Sequence, residues 1–371
     1  MTLRFAALAI AAAGFILGHG PASAAAPKHV ILIMMENHGT DTLFGNKEDA
    51  PFINELIAEP GVRYATQYYG VTHPSLPNYL ALVAGDTMGI HDDCKAGADV
   101  KCKPEEFVPG ADEPATAGRL LTDEQEKKAA ETAHLFPGKT LVDQLDEAGV
   151  SWKVYMQGLP ADHKTIEYAP VANGKVVAEL YAQKHNPFVY FSSFVNDPAR
   201  MGKLLPDDGL AADLEGGLAG FTWISPDQCH DMHGISPSAA AAIGKPDCGY
   251  SKSGLDHSVI RLGDQYLRET VEAIRTAPTW KDDTAIIIVW DEDDYAGLSG
   301  IKGSPIGRNG AVLGGARAPL IVVTGKAEPA RKIDMPFNHF NLLATLEAAY
   351  GVDCLGHACE AKDALIDGLF D

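Results

Sequence analysis

Ser75 stands at the start of an apolar run with helical spacing, directly after Pro74. A hydroxyl in the first turn of a helix lies close to backbone N–H groups that have no partner within the helix, and such groups favour a bound anion. Ser75 could therefore be a nucleophile that accepts a phosphoryl group. The alternative is that Ser75 only caps the helix, because a serine hydroxyl is a weak nucleophile unless another group activates it.

Oxygen-bearing side chains follow directly after the two most apolar runs of the chain, residues 29–35 and 284–290. These side chains are Glu36, Asn37, Asp291 and Glu292. Both runs predict strands buried on both faces of a parallel sheet, and ligands gather at the carboxyl edge of such a sheet. Taken alone, each acidic residue could simply be a polar residue exposed to solvent at the end of a strand.

Together, these carboxylate and carboxamide oxygens suit one divalent cation. Ca, Mg or Mn fit oxygen ligands better than Zn does, and the identity of the metal stays open. Such a cation could lower the pKa of the Ser75 hydroxyl and neutralise a bound phosphate. The sequence thus contains a candidate activator for the candidate nucleophile.

The rest of the chain alternates between strand-like and helix-like patterns, which predicts an α/β fold with a mostly parallel sheet. Further strands are expected at 151–156, 189–194, 221–225 and 318–324. Helices are expected to begin near Asp49 and Gly138 and to occupy 262–274 and 339–350. Because there is no internal repeat, low-complexity tract or linker, a single domain over residues 25–371 is favoured over two.

The first 24 residues have the layout of a secretory signal: Arg4, an apolar run at 5–17 and a small-residue site ending at Ala24. The apolar run is short for a membrane span, so a cleaved signal is favoured over an anchor. We therefore expect a secreted or periplasmic protein with no integral membrane segment. Its oligomeric state stays open.

The six cysteines fit an exported protein, and their spacing suggests three local disulfides. The expected pairs are Cys94–Cys102, Cys229–Cys248 and Cys354–Cys359. Zinc binding is the alternative, although the chain contains no C-x-x-C pair. The net charge of −20 argues against a nucleic-acid partner and against electrostatic docking on anionic membranes. It also repels phosphorylated substrates, so a local cation must offset it wherever phosphate binds.

Six ordered motifs look like those of the bacterial phosphoesterase family of acid phosphatases and phospholipases C. They are Met35-Glu36-Asn37-His38, Ser75-Leu76-Pro77-Asn78, Lys184-His185-Asn186-Pro187-Phe188, Asp231-Met232-His233, the segment from Asp256-His257 to Gly263-Asp264, and Trp290-Asp291-Glu292. Each motif is weak alone, but their shared order spans nearly the whole mature chain.

The resemblance implies an alkaline-phosphatase-like fold, a three-layer α/β/α sandwich with one bound metal and a Ser or Thr nucleophile. By this resemblance Ser75 is the nucleophile and completes the metal shell of Glu36, Asn37, Asp291 and Glu292. Asn78 is then a phosphate donor. Three histidines become candidates for phosphate binding or leaving-group protonation, with a structural role as the alternative for each: His185, His233 and His257.

The resemblance also bears on substrate. In the phospholipase C branch a histidine and paired glycines follow the Asp-Glu, whereas Asp293-Asp294-Tyr295 stand here. That branch usually carries additional C-terminal domains. The runs 69–75 and 92–94 look closest to compact secreted acid phosphatases, including a mycobacterial type that acts on phosphatidylinositol 3-phosphate.

Three functions follow as hypotheses. The first is a metal-dependent acid phosphatase that hydrolyses phosphomonoesters through a phosphoserine intermediate. Phosphorylated lipids such as phosphatidylinositol 3-phosphate are candidate substrates. The second is a phospholipase C or another phosphodiesterase on the same core. The third is a non-enzymatic exported protein that binds phosphate or metal.

Overall fold

The computed structural model describes residues 26–105, 120–251, 254–293 and 298–370 of the protein. The predicted signal at 1–24 lies outside these residues. The described strands are β1 His29–Met35, β2 Val62–Ala65, β3 Tyr68–Tyr69, β4 Trp152–Met156, β5 Tyr168–Ala172, β6 Lys175–Ala182, β7 Leu204–Pro206, β8 Phe221–Ser225, β9 Thr284–Trp290, β10 Leu320–Thr324, β11 Arg331–Ile333 and β12 Phe337–Asn338.

The described α-helices are α1 Thr40–Leu43, α2 Pro51–Leu56, α3 Ser75–Ala84, α4 Asp123–Glu131, α5 Leu141–Glu147, α6 Ser192–Val195, α7 Pro198–Gly202, α8 Leu210–Leu214, α9 Pro237–Ala242, α10 His257–Thr276, α11 His339–Tyr350 and α12 Ala358–Ala361. No helix among the described residues combines the length and the apolarity that crossing a membrane requires.

Eight strands form the central sheet in the order β11-β2-β10-β9-β1-β8-β4-β7. Strand β10 runs antiparallel to both of its neighbours, and every other pair of adjacent strands in this sheet is parallel. Strands β1 and β9 pair in register from His29 with Thr284 to Met35 with Trp290. The expected mostly parallel sheet is thus confirmed, and the carboxyl ends of its two most apolar strands lie side by side.

Helices cover the sheet in two contacting groups, one with α3, α5 and α11 and the other with α2 and α10. The β1 residues from Val30 onward and all of β9 are buried. Burial on both faces requires apolar side chains at every position, which explains the uninterrupted runs. The architecture is the expected three-layer α/β/α sandwich.

The prediction of a strand at 189–194 is wrong. The segment forms a 3₁₀ helix, Pro187–Tyr190, followed by α6. Proline favours the first position of a helical turn, and the aromatic side chains reach the core from helical rather than extended backbone. The rings of Phe188 and Phe194, both buried, lie 5.5 Å apart between centroids.

All three predicted disulfides are present: Cys94–Cys102, Cys229–Cys248 and Cys354–Cys359. No cysteine of the chain is left free. The zinc alternative is therefore wrong for these residues, because metal binding needs thiolates and these sulfur atoms are bonded to each other.

Glu347 of α11 is a buried acid away from the sheet edge, and burial raises its pKa from 4.5 to about 8. Its Oε1 accepts the Leu355 N–H at 2.8 Å, and the Gln144 side chain contacts the carboxyl group. Because the folded-state pKa lies above the unfolded value, the folded protein binds this proton more tightly. Stability from this group is complete below about pH 4.5 and is lost as the pH rises towards 8.

Glu347→Gln is therefore expected to raise the free energy of unfolding by up to about 4 kcal/mol at pH 8 and to change it little at pH 4. Urea unfolding at both pH values checks this. Glu131→Gln, at an exposed position on α4, is the matched control and should have no effect. Equal effects of Glu347→Gln at both pH values would contradict the assignment.

Candidate active site

Ser75 is the first residue of α3, whose N-cap is Pro74 and whose start has no side-chain cap. Ser75 Oγ lies 3.0 Å from Glu36 Oε2, 3.3 Å from Asn37 Oδ1 and 3.1 Å from Glu292 Oε1. The hypothesis that Ser75 only caps a helix is wrong, since the hydroxyl contacts the ends of β1 and β9 instead.

This oxygen cluster, formed by Ser75, Glu36, Asn37 and Glu292, contains more acceptors than donors. One hydroxyl proton can serve only one of the three acceptors around Ser75 Oγ. In addition, Asn37 Oδ1 lies 3.3 Å from Glu36 Oε2 and 3.3 Å from Glu292 Oε1. Turning the Asn37 amide would give both carboxylates a donor. A cation among the oxygens would satisfy all of them without that turn, and the hard oxygen donors suit Ca, Mg or Mn.

Asp291 links the two strand ends beneath this cluster. Its backbone N–H donates to the Met35 carbonyl at 3.1 Å, and its Oδ1 accepts the Asn37 N–H at 3.0 Å. Its other oxygen, Oδ2, is buried without a hydrogen-bond donor among the described residues. An unpartnered buried carboxylate oxygen is costly, and a cation would remove that cost. The residues predicted as metal ligands are thus brought together, and their chemistry fits a divalent ion.

The carboxyl groups of this site have raised pKa values. Burial raises the pKa of Asp291 to about 6. Burial, followed by the charge of Asp291, raises the pKa values of Glu36 and Glu292 well above their ordinary range. The physical cause is that several carboxylates are buried close together, so that each charged form is desolvated and repelled by its neighbours.

His185 lies directly against the oxygen cluster. Its Nε2 is 3.3 Å from Glu36 Oε1, and its Nδ1 is 3.2 Å from Asp231 Oδ2, although neither contact has hydrogen-bond geometry. The ring stacks on Tyr79 at 5.5 Å between centroids, and the Tyr79 hydroxyl donates to Glu36. Burial, then the neighbouring Lys184 charge, lowers the pKa of His185 well below its ordinary value. His185 is therefore neutral and positioned beside Glu36.

His233 lies next to His185, with the two ring centroids 5.8 Å apart. Its Nδ1 is 2.8 Å from the Gly234 carbonyl oxygen, so Nδ1 carries the ring proton. Burial, followed by the charge of Lys184, lowers the pKa of His233 to about 3. The structure thus joins two of the three predicted histidines to the site.

The third histidine, His257, is the first residue of α10, and its side chain is 55% exposed. Its Nδ1 lies 2.6 Å from Asp49 Oδ2, and Arg261 contacts the other oxygen of the same carboxyl group at 2.7 Å. None of the described contacts of His257 reaches the oxygen cluster. A catalytic role for His257 stays a prediction, and its contacts support a structural one.

Asn78 lies between the turn before Ser75 and the oxygen cluster. Its Oδ1 accepts the backbone N–H groups of Val71 and Thr72 at 2.8 and 3.1 Å. Its Nδ2 donates to the carbonyls of Thr72 and Pro74 at 2.7 and 3.2 Å. Its Nδ2 also lies 3.5 Å from Glu292 Oε2, so the amide joins the turn before Ser75 to the oxygen cluster. A phosphate contact stays a prediction, and the observed contacts support a role in positioning the nucleophile.

Several site residues were not predicted. Asp231 accepts the His233 N–H at 2.8 Å, and its carbonyl accepts the Glu36 N–H at 2.8 Å. His73 contacts the Glu292 carboxylate. The motifs contained both Asp231 and Lys184, but spacing alone gives no sign of which neighbours these side chains meet.

The motif at 256–264 has a structural explanation. Met232 has φ 82°, a left-handed conformation that is rare for such a residue. Gly263 of α10 leaves room for its side chain, since a Cβ there would lie 2.3 Å from Met232 Cγ. The Asp264 carboxylate accepts the N–H groups of Phe52 and Ile53 at 2.9 Å each, at the start of α2. This part of α10 thus shapes the loop of Asp231 and caps a helix.

Together, the fold and the site define an α/β protein whose serine and acidic side chains meet at the carboxyl edge of a mostly parallel sheet. The family model described as Phosphoesterase family matches residues 46–245 and 248–353, and the chain belongs to this family.

Named relatives share low identity with the chain. A "Probable acid phosphatase" of Kluyveromyces lactis is 23% identical over 333 residues, which are 90% of this chain and 60% of the relative. The "Phosphatidylinositol-3-phosphatase" of Mycobacterium tuberculosis is 27% identical over 346 residues, 92% of this chain and 84% of that protein. Among solved structures, an alkaline phosphatase superfamily protein of Vibrio parahaemolyticus aligns with a TM-score of 0.45 and 16% identity, covering 90% of this chain and 69% of that one.

Proposed function

We propose that the protein is an exported, metal-dependent acid phosphatase that hydrolyses phosphomonoesters through a phosphoserine at Ser75. The observation that carries this proposal is the position of the Ser75 hydroxyl, which lies among the oxygens of Glu36, Asn37 and Glu292 instead of capping α3. Membership of the Phosphoesterase family and the names of two relatives, "Probable acid phosphatase" and "Phosphatidylinositol-3-phosphatase", support the same class of substrate.

In the proposed reaction, Ser75 Oγ attacks phosphorus, a bond from Oγ to phosphorus forms, and the ester bond to the alcohol breaks. The Ser75 hydroxyl gives up its proton to solvent as Oγ attacks, and the leaving oxygen takes up a proton from solvent and departs as the alcohol. Water then attacks phosphorus, the bond to Oγ breaks, Oγ takes back a proton and inorganic phosphate is released. A divalent ion held by Glu36, Asn37, Asp291, Glu292 and Ser75 would lower the pKa of the hydroxyl and neutralise phosphoryl charge.

The other side chains keep these groups in place. Tyr79 and His185 contact Glu36, and Asp231 contacts His185, so the Glu36 carboxylate is fixed from two sides. Fixed positions contribute to catalysis because the enzyme does not have to reorganise as charge develops. We infer that the single domain at 25–371 contains this whole machinery, and that phosphorylated lipids such as phosphoinositides belong to its candidate substrates.

A panel of esters tests this function. Turnover is measured for a small aryl phosphomonoester, phosphatidylinositol 3-phosphate, a phosphodiester and phosphatidylcholine, from pH 4 to 9, with and without chelator. We expect hydrolysis of monoesters, loss of activity with chelator and recovery with added metal. Preferred hydrolysis of the diesters would replace the proposal by a phosphodiesterase. Binding of phosphate or metal without turnover of any ester would replace it by a non-enzymatic binding protein.

A further inference from the structure

The Lys184 side chain has no role in the reaction described above, although it borders the site. Its Nζ donates to Asp93 Oδ2 at 2.8 Å and lies 3.5 Å from His233 Nε2. Because His233 Nδ1 carries the ring proton, Nε2 offers a lone pair and accepts from Lys184. These contacts use two of the three N–H donors of the ammonium group. The third has no acceptor among the residues that the structure describes.

The position of Lys184 is fixed relative to the nucleophile. Asp93 Oδ1 accepts the N–H of Leu76, the residue after Ser75, at 2.9 Å. The neighbouring residue, His185, contacts Glu36. A single carboxylate thus joins the Lys184 ammonium to the start of α3, while the adjoining residue faces the oxygen cluster. The Lys184 side chain is 13% exposed, so it is largely desolvated but can be approached.

Lys184 also brings a positive charge to a site that is otherwise lined by acidic side chains. Within the part of the chain that the structure describes, Lys184 is the one lysine or arginine whose side chain contacts Asp93, His185, His233 or the oxygen cluster. A phosphoryl group brings further negative charge to a protein of net charge −20, so a fixed ammonium group is valuable here.

We propose that the third N–H of Lys184 binds a non-bridging oxygen of the phosphoryl group that Ser75 attacks, which makes Lys184 a substrate-binding residue. The proposal rests on the proposed function of the Ser75 site. Asp93 is the counter-ion of Lys184 before substrate arrives, and a phosphoryl oxygen competes with its carboxylate for the ammonium. A charge-assisted hydrogen bond of this kind is among the strong ones in proteins.

The test uses the full chain and two readouts. Binding of inorganic phosphate is measured by equilibrium dialysis, and kcat and KM are measured with a small aryl phosphomonoester. The variants are Lys184→Met, Lys184→Arg and Asp93→Asn. The control is Lys95→Met, which removes an exposed lysine that pairs with Glu167 at 3.0 Å.

We expect Lys184→Met to weaken phosphate binding about tenfold or more and to raise KM, and Lys184→Arg to recover part of both. Asp93→Asn should tighten phosphate binding, because it removes the competing charge and leaves the ammonium. Lys95→Met should match the parent protein. A purely structural role predicts weaker binding in both Lys184→Met and Asp93→Asn, with a lower melting temperature.

Phosphate binding that is unchanged in Lys184→Met, in a parent protein that hydrolyses esters, would overturn the role of Lys184 and leave the proposed function intact. Weaker binding in Asp93→Asn would overturn the role as well. A parent protein that binds phosphate through Lys184 but hydrolyses no ester would support the contact and overturn the proposed function.

Discussion

Replacing Ser75 by alanine is expected to lower turnover of phosphomonoesters by on the order of 10⁴- to 10⁶-fold, because the attacking oxygen is removed. The free energy of unfolding should change by less than about 1 kcal/mol, since Ser75 is not the N-cap of α3 and its hydroxyl makes no cap hydrogen bond. Steady-state kinetics and thermal unfolding of the same preparation check both parts. Ser75→Thr retains a hydroxyl and should keep partial activity.

Ser192→Ala is the matched control for this experiment. Ser192 is also the first residue of a short helix, α6, and its hydroxyl contacts a backbone carbonyl, that of Phe136, at 3.3 Å. Its replacement should leave turnover at the parental level. Acid quenching of the parent protein during turnover should trap phosphate on Ser75, which mass spectrometry of the digested protein can locate. Near-parental turnover of Ser75→Ala would contradict the nucleophile assignment.

Asp291→Asn is expected to weaken binding of the divalent ion by about 100-fold or more, equivalent to about 3 kcal/mol, and to lower turnover in parallel. Asparagine retains an oxygen that can accept the Asn37 N–H, which Asp291 Oδ1 accepts at 3.0 Å. It removes one charge from a site where Glu36 and Glu292 are also buried. The metal-free variant should therefore be at least as stable as the metal-free parent.

Metal content by elemental analysis, turnover and urea unfolding are measured on the same samples of Asp291→Asn. Asp283→Asn is the matched control, because Asp283 directly precedes β9 and is exposed at the opposite end of the strand. Full activity of Asp291→Asn after chelation would show that the oxygen cluster does not hold a catalytic metal.

The metal-ligand candidates could be predicted because they depend on local signals. Glu36 and Asp291 each directly follow an apolar run that is long enough to be a strand. Parallel pairing brings the carboxyl ends of these two strands together, independently of the conformation of the loops between them. The burial of Asp291 could not be predicted in this way. A strand-end acid is expected at a solvated rim, whereas Asp291 is fully buried beneath the oxygen cluster.

The contacts of Lys184, Asp93 and Asp231 depend on long-range packing and therefore escaped prediction. Asp93 and Lys184 are 91 positions apart in the sequence, and their ion pair forms only when the 3₁₀ helix Gln183–His185 packs beside α3. The wrong strand at 189–194 has the same origin, because aromatic residues favour strands locally and tertiary packing here selects helical turns.

Two of the disulfides lie beside the acids that organise the site: Cys94 follows Asp93, and Cys229 is two positions before Asp231. In a reducing cytosol these two disulfides would not form. The loops that hold Asp93 and Asp231, which position Lys184 and His185, would then be less constrained. The protein should therefore mature only after it meets an oxidant. For recombinant production, cytosolic expression should give a chain whose activity appears on oxidative refolding, while periplasmic expression should give the active form directly.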